Sequence, residues 1–131
     1  MQWTDETGAG FTTGIPWLGI NGNYRRIHNA HQRANPDSIW HYYQKLIRLR
    51  AGSDTLKYGD FTPEYAKGDV IGYTRTQGTE KHMVLLNFSK RKTRVVYTGE
   101  VVISNIGRAA YDGFLGPYEA IVLKTNIIKE Q

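Results

Sequence analysis

The second half of the chain is a series of short segments rich in β-branched and aromatic residues. In chain order they are TLKYGDFTPEY, VIGYTRTQ, KHMVLLNFS, TRVVYTG, EVVISN and YEAIVLKT, and turn-forming residues separate them at Gly68-Asp69, Gly78, Lys90–Lys92, Gly99 and Gly116-Pro117. No interval between two segments is long enough for the helix that joins parallel strands. The pattern predicts a mainly β fold, an antiparallel sandwich or barrel.

The first 35 residues differ from this pattern. They contain many glycines among aromatic residues and show neither a helical nor a strand period. We expect an ordered but irregular loop. The next segment, NPDSIWHYYQKLIRLRAG, predicts a helix that Asn35 caps, with Pro36 in its first turn and Gly52 at its end. Its apolar residues form a wide stripe that should have a packing partner; they are Ile39, Trp40, Tyr43, Leu46, Ile47 and Leu49.

Composition narrows the functional classes. The 131 residues contain no cysteine, which leaves neither a disulfide framework nor a cysteine-based zinc site. We expect a soluble protein, because no leader-like start and no apolar run of about 20 residues is present. We expect it in the cytoplasm, since the absence of cysteine permits a reducing compartment. The net charge of +5 is spread along the chain. Its one cluster, Lys90, Arg91, Lys92 and Arg94, is expected at a hairpin turn, either as a phosphate contact or as a solvated turn.

Motifs for common chemistries are missing from the sequence. The stretch TGAGFTTG has no Lys-Ser/Thr ending of a phosphate loop, and no G-x-S-x-G occurs. His28, His31 and His41 have no carboxylate or thiol at a spacing that completes a metal site. Asp5 and Glu6 are the only adjacent carboxylates in the loop. We therefore predict no metal and no cofactor.

Several motifs nevertheless occur together in a characteristic order: MQW, AGFTTGIPWLGIN, NY, NPDSIWHYYQKLIRLR and finally YEAIVL. This combination closely resembles the C-terminal portion of alpha-glucosidases of the alpha-amylase superfamily, glycoside hydrolase family 13. The most similar subgroup contains oligo-1,6-glucosidase, dextran glucosidase and trehalose-6-phosphate hydrolase. The resemblance runs from Met1 to about Lys124. Thr4, Gly8, Gly22 and His28 depart from the residues common in that family.

The resemblance implies an arrangement of the chain. Residues 1–35 would be the loop after the eighth strand of a (β/α)8 barrel, and residues 36–51 the last barrel helix. Residues 56–131 would be the Greek-key β-sandwich called domain C. The predicted domains are therefore 1–55, the end of the barrel, and 56–131, the C-terminal sandwich.

The resemblance also implies a function. Retaining enzymes of this superfamily use an Asp nucleophile and a Glu acid/base about 5–5.5 Å apart, and both would precede Met1. The chain alone is then a non-catalytic structural part of an alpha-glucosidase that cleaves alpha-1,6 or alpha-1,4 glucosides or trehalose-6-phosphate. Gln2 and Trp3 would lie near the mouth of the substrate pocket. Alternatively, Trp3, Phe11 and Trp17 pack the loop onto the barrel.

Expected partners follow from the same assignment. The barrel domain is the first, and a second copy could associate through the apolar face of the helix. We expect weak or no sugar binding by the chain alone, no nucleic acid and no membrane. The alternatives are a stand-alone carbohydrate-binding β-sandwich module, which would use exposed tyrosines, and a basic nucleic-acid binder with Lys or Arg and aromatic residues on one sheet face.

Overall fold

The computed structural model describes residues 1–126, and the chain forms two compact units, Met1–Ile47 and Arg48–Gln131. The helical elements are a 3-10 helix at Thr7–Gly10, α1 (Asn29–Ala34), α2 (Ile39–Gly52) and α3 (Asp54–Tyr58). The strands are β1 (Asp60–Lys67), β2 (Val70–Gln77), β3 (Glu80–Asn87), β4 (Thr93–Arg94), β5 (Glu100–Ser104), β6 (Phe114–Leu115) and β7 (Ala120–Asn126). The division between the units falls inside α2. None of the helices within residues 1–126 combines the length and the apolar character that crossing a bilayer requires.

The second unit is an antiparallel sandwich. Its larger sheet has the strand order β1-β2-β3-β7-β5, and β4 pairs with β6 in a second, two-stranded sheet. The last strand, β7, lies between β3 and β5 rather than beside its sequence neighbour β6. The chain therefore crosses between sheets, as in a Greek key. The predicted fold class is confirmed.

Strand alternation places the core between the two sheets. Met83 and Leu85 of β3 lie on the inner face, opposite Leu123 and Ile121 of β7. Leu115 of the small sheet closes this cluster from the other side. Leu85, Leu115 and Leu123 are fully buried, and each contributes about 2 kcal/mol by leaving water. The remaining core residues are Val70 and Val95, with Tyr65, Tyr97, Val101 and Tyr111 packed against them.

The main helix begins later than predicted, at Ile39 rather than at Pro36. The reason is a competition between two capping residues. The Asn35 side chain accepts a hydrogen bond from the Asp37 amide at 3.0 Å and so closes a turn instead of starting the helix. The Ser38 hydroxyl accepts from the His41 amide at 3.4 Å and donates to the Gln32 carbonyl at 2.5 Å. Ser38 therefore acts as the N-cap.

Two strand predictions need correction, and one strand was missed. The start of TLKYGDFTPEY belongs to α3, because Ser53 accepts a hydrogen bond from the Leu56 amide at 3.2 Å and caps a short helix before β1 begins. Of TRVVYTG, only Thr93 and Arg94 form a strand. Their partner, β6, was not predicted.

The basic cluster is not in a hairpin turn. It connects β3 of the large sheet to β4 of the small one, and Lys92 packs its ammonium 4.6 Å from the centre of the Phe114 ring.

A buried carboxylate joins three parts of the sandwich. Glu119 is 1% exposed. Its Oε1 accepts hydrogen bonds from Ser104 Oγ on β5 at 3.0 Å and lies 3.3 Å from Arg108 Nε. Its Oε2 accepts from the Gly116 amide, just after β6, at 2.7 Å. Every oxygen of this buried charge is therefore paired, which is the condition for burying it.

We expect Glu119→Gln to lower the free energy of unfolding by about 2 kcal/mol, because the amide NH2 would face donors. Urea unfolding followed by circular dichroism measures the change. Glu100→Gln, on an exposed position of β5, is the matched control and should change stability by less than about 0.5 kcal/mol. Equal stability of the two variants would contradict the assignment.

The outer face of the large sheet carries a second buried polar group. His82 on β3 is 3% exposed and stands opposite Arg75 on β2 and Lys124 on β7. Burial lowers the pKa of His82 below its ordinary value; the nearby Glu80 carboxylate opposes this effect and Lys124 adds to it. The imidazole is therefore neutral in the folded protein near neutral pH.

This shift makes stability depend on pH. The unfolded chain takes up a proton at His82 near pH 6.5, whereas the folded chain does so only at lower pH. The free energy of unfolding should therefore fall as pH drops through about 6.5, by at most ~1.4 kcal/mol per pH unit for one proton. His82→Gln should remove this part of the slope in unfolding curves recorded between pH 7 and pH 5. An unchanged slope would contradict the prediction.

Candidate functional site

The first unit is built around the chain's opening residues. The amides of Trp3 and Thr4 both donate to the Ala9 carbonyl, at 2.8 and 3.2 Å. Ala9 is reached through a turn in which Gly8, Ala9 and Gly10 all have positive φ, at 76°, 55° and 62°. A side chain at Gly10 would also approach Thr4 Oγ1 to 2.7 Å. The glycines therefore allow the chain to fold back on itself here.

The Gln2 side chain is hydrogen-bonded to later residues of the same loop. Its side-chain Nε2 donates to the Ile27 carbonyl at 2.5 Å and to Asn23 Oδ1 at 3.2 Å. Its backbone carbonyl accepts from the Asn29 amide at 2.9 Å, and the Trp3 carbonyl accepts from the Ala30 amide at 2.9 Å. These two carbonyls bond amides at the start of α1, which the helix itself leaves unpaired. Gln2 thus connects segments far apart in sequence.

Several aromatic and aliphatic side chains of the loop are exposed to solvent. Trp3 is 46% exposed and Trp17 90% exposed, and Phe11, Ile15 and Leu18 are exposed as well. Isolated exposed apolar residues are ordinary, but several on one loop are typical of an interaction surface.

A cavity of about 310 Å³ lies within this unit, and Gln2, Phe11, Leu18 and Asn21 contribute to its walls. Trp3 is not among the lining residues. The structure therefore places Gln2 and Trp3 differently: Gln2 lies at a cavity with its amide nitrogen already bonded, and Trp3 lies outside it. The loop contacts of Gln2 could not be read from the sequence, since its partners are 21 and 25 residues away.

The three neighbouring histidines are each bonded to a backbone carbonyl. His28 Nδ1 lies 2.9 Å from the Tyr24 carbonyl, His31 Nδ1 2.9 Å from that of Arg26, and His41 Nε2 2.9 Å from that of Arg33. A carbonyl only accepts, so these nitrogens carry protons. Across residues 1–126, no three His, Asp or Glu side chains come close enough to hold a metal ion. Asp5 and Glu6 are exposed on the turn before the 3-10 helix.

We expect Gln2→Leu to loosen the loop, because it removes both side-chain hydrogen bonds of Gln2. A loss of about 1 kcal/mol corresponds to roughly fivefold faster hydrogen exchange at the Asn29 and Ala30 amides. Gln44→Leu on α2 is the control and should leave these amides unchanged. Equal exchange rates in the two variants would show that Gln2 does not hold the loop.

Comparison with known proteins supplies the wider context. Residues 1–59 match the family described as "Alpha amylase, catalytic domain". The oligo-1,6-glucosidase of Bacillus cereus is 36% identical over 127 residues, which cover 95% of this chain and 23% of that enzyme. The alpha-glucosidase of Pediococcus pentosaceus is 40% identical, over 93% of this chain and 23% of that enzyme.

A solved structure agrees with these relatives. The crystal structure of isomaltulose synthase from Klebsiella sp. LX3 superposes with a TM-score of 0.87 at 36% identity. The match covers 94% of this chain and 24% of that one. This chain therefore spans about a quarter of the length of the enzymes it matches.

Proposed function

Because the chain belongs to the alpha-amylase family, we propose that it is the non-catalytic C-terminal structural part of an alpha-glucosidase. The complete enzyme would cleave alpha-1,6 or alpha-1,4 glucosides or trehalose-6-phosphate in the cytoplasm. Residues 1–55 would complete the barrel, and residues 56–131 would form the C-terminal sandwich. Glucosidases and a trehalose-6-phosphate hydrolase among the relatives support this range of substrates.

The chemistry would be performed outside this chain. In a retaining glycosidase, a carboxylate attacks the anomeric carbon while a carboxylic acid protonates the leaving oxygen, and water then releases the sugar. The active site of a barrel is assembled from the ends of several strands. One loop and one helix do not assemble such a site, so we assign the reaction to residues of the barrel. Gln2 and Trp3 would lie near the pocket mouth only in the intact enzyme.

The observation that carries the proposal is an apolar stripe on α2. Ile39, Tyr43 and Ile47 recur every four residues, so they share one side of the helix. They are 75%, 63% and 63% exposed. Three large exposed apolar side chains on one helix face form an apolar patch, and patches of about a few hundred Å² mark interaction sites. The barrel is the partner that this stripe would contact.

A split-enzyme experiment tests the proposal. The Bacillus cereus oligo-1,6-glucosidase would be produced without the quarter that this chain matches, and this chain would be added. We expect hydrolysis of nitrophenyl alpha-glucoside by the mixture and none by this chain alone, because the carboxylates would come from the barrel. Turnover by the purified chain alone would contradict the proposal, as would failure of the two parts to bind.

Variants of α2 make this experiment specific. Tyr43→Glu places a charge in the stripe and should weaken binding at least tenfold, because the carboxylate would be buried without a partner. Lys45→Glu introduces the same residue on the opposite side of the helix and should have little effect. Equal loss in both variants would show that the stripe is not the contact surface.

A further inference from the structure

The pair Asn21-Gly22 lies exposed in the loop of the Met1–Ile47 unit. Asn21 is the only asparagine of the chain that precedes a glycine. An asparagine side chain can react with the backbone nitrogen of the residue that follows it, and a glycine in that position has no Cβ to hinder the approach. Gly22 has no role in the function proposed above.

The turn around this pair keeps the reacting atoms near each other. The Tyr24 amide donates to the backbone carbonyl of Asn21 at 3.1 Å, so residues 21–24 form a β-turn. The Asn23 amide donates to Asn21 Oδ1 at 3.2 Å. This second hydrogen bond closes a ring that contains both the side-chain carbon Cγ of Asn21 and the Gly22 nitrogen. It also polarises the Cγ–Oδ1 bond and would stabilise negative charge that develops on Oδ1.

The Gly22 nitrogen is free to attack. Its N–H donates to no backbone carbonyl within residues 1–126. A Cβ placed on Gly22 would meet no atom within 4 Å, so the surroundings of the nitrogen are open. Both residues of the pair are exposed, and water therefore reaches the amide proton and the product. The φ of Gly22 is not positive, so the turn itself does not require a glycine here.

We propose that Asn21 is a site of spontaneous modification, at which it becomes isoaspartate or aspartate. The Gly22 nitrogen forms a bond to Asn21 Cγ and loses its proton, while the Cγ–Nδ2 bond breaks and ammonia leaves. The product is a five-membered succinimide ring. Water then opens the ring: addition at the backbone carbonyl of residue 21 gives isoaspartate, and addition at Cγ gives aspartate. Each product carries one negative charge that Asn21 lacks.

Isoaspartate at this position would release Gln2. The main chain of isoaspartate runs through Cβ and Cγ, and the carbonyl that accepts from the Tyr24 amide becomes part of a free carboxylate. The turn that positions Asn23 then no longer closes. Asn23 Oδ1 accepts from Gln2 Nε2 at 3.2 Å, and this acceptor would lose its fixed position. The modification therefore loosens the loop at the opening residues of the chain.

The pair Asp112-Gly113 provides a comparison within the same chain. The Phe114 amide donates to Asp112 Oδ1 at 3.1 Å, which is the arrangement found at Asn21. The Asp112 side chain is, however, an ionised carboxylate near neutral pH, and it lies 3.2 Å from Arg108 Nη1. An amide nitrogen does not attack an ionised carboxylate. We therefore expect isoaspartate at residue 21 and none at residue 112.

Incubation of the folded full chain in a mildly alkaline buffer tests the proposal. Trypsin releases residues 1–25 as one peptide, and its fragment masses show which amide has become an acid. An isoaspartyl methyltransferase with a labelled methyl donor distinguishes isoaspartate from aspartate. We expect modification at Asn21 and none at Asn23 of the same peptide. An intact Asn21 in the folded chain, under conditions that modify it in the urea-unfolded chain, would overturn the proposal.

Variants of the glycine test the assigned nucleophile. Gly22→Pro has no N–H to lose, and proline suits the second residue of this turn, so we expect no succinimide. Gly22→Ala places a Cβ in open space and should slow the reaction roughly tenfold, because the methyl group hinders the attack. Gly19→Ala is the matched control, since Gly19 is equally open on the same loop. Equal rates in the two alanine variants would overturn the proposal.

Hydrogen exchange tests the effect of the modification on the loop. The modified chain separates from the unmodified chain by ion exchange, because it carries the additional negative charge. We expect its Asn29 and Ala30 amides to exchange roughly fivefold faster than those of the unmodified chain, as they would without the Gln2 side-chain bonds. Gly22→Pro incubated in the same way should show no change. Unchanged exchange in a chain that contains isoaspartate would overturn the inferred release of Gln2.

Discussion

The sandwich depends on one buried negative charge. Glu119 lies in the turn before β7, and its carboxylate reaches β5 through Ser104 and the residue after β6 through the Gly116 amide. Its backbone carbonyl accepts from the Asn87 amide at the end of β3. One residue therefore ties together both sheets at the point where the chain crosses between them. Burial, with a smaller contribution from the Glu119 carboxylate, raises the pKa of Tyr111 to about 12, and that hydroxyl donates to the Val95 carbonyl at 2.6 Å.

Local sequence signals predicted the elements whose ends are fixed by local chemistry. Strand β2 coincides with the predicted VIGYTRTQ because glycines with positive φ, Gly68 and Gly78, form the turns on both sides. The start of α2 was misplaced because Asn35 and Ser38 are both good caps, and only the contact of Ser38 with Gln32 decides between them. Strand β6 has two residues and exists only through its pairing with β4. No local pattern could have indicated it.

The candidate sites also depend on contacts that local sequence does not indicate. A resemblance to a family indicated Gln2 and Trp3, but the side-chain contacts of Gln2 to Asn23 and Ile27 require the folded loop. The burial of His82 was not predicted. In the sequence His82 is one polar residue in a strand pattern. Glu80 lies two residues earlier on the same strand, but Lys124 comes to lie beside His82 only through the register of β3 with β7. Sites that depend on pairing across a sheet have no signature in one segment.

The two units differ in how far their apolar side chains are buried, and this difference bears on the proposed function. In the Arg48–Gln131 unit, the large side chains of β3, β6 and β7 are enclosed between two sheets. In the Met1–Ile47 unit, Trp17, Tyr43 and Ile47 face outward, and Ala9 is its only buried apolar residue within the described chain. A unit with so little enclosed apolar surface gains little from the hydrophobic effect by itself. Its order therefore has to come from a surface that covers these side chains, and a barrel completed by this loop and helix would provide one.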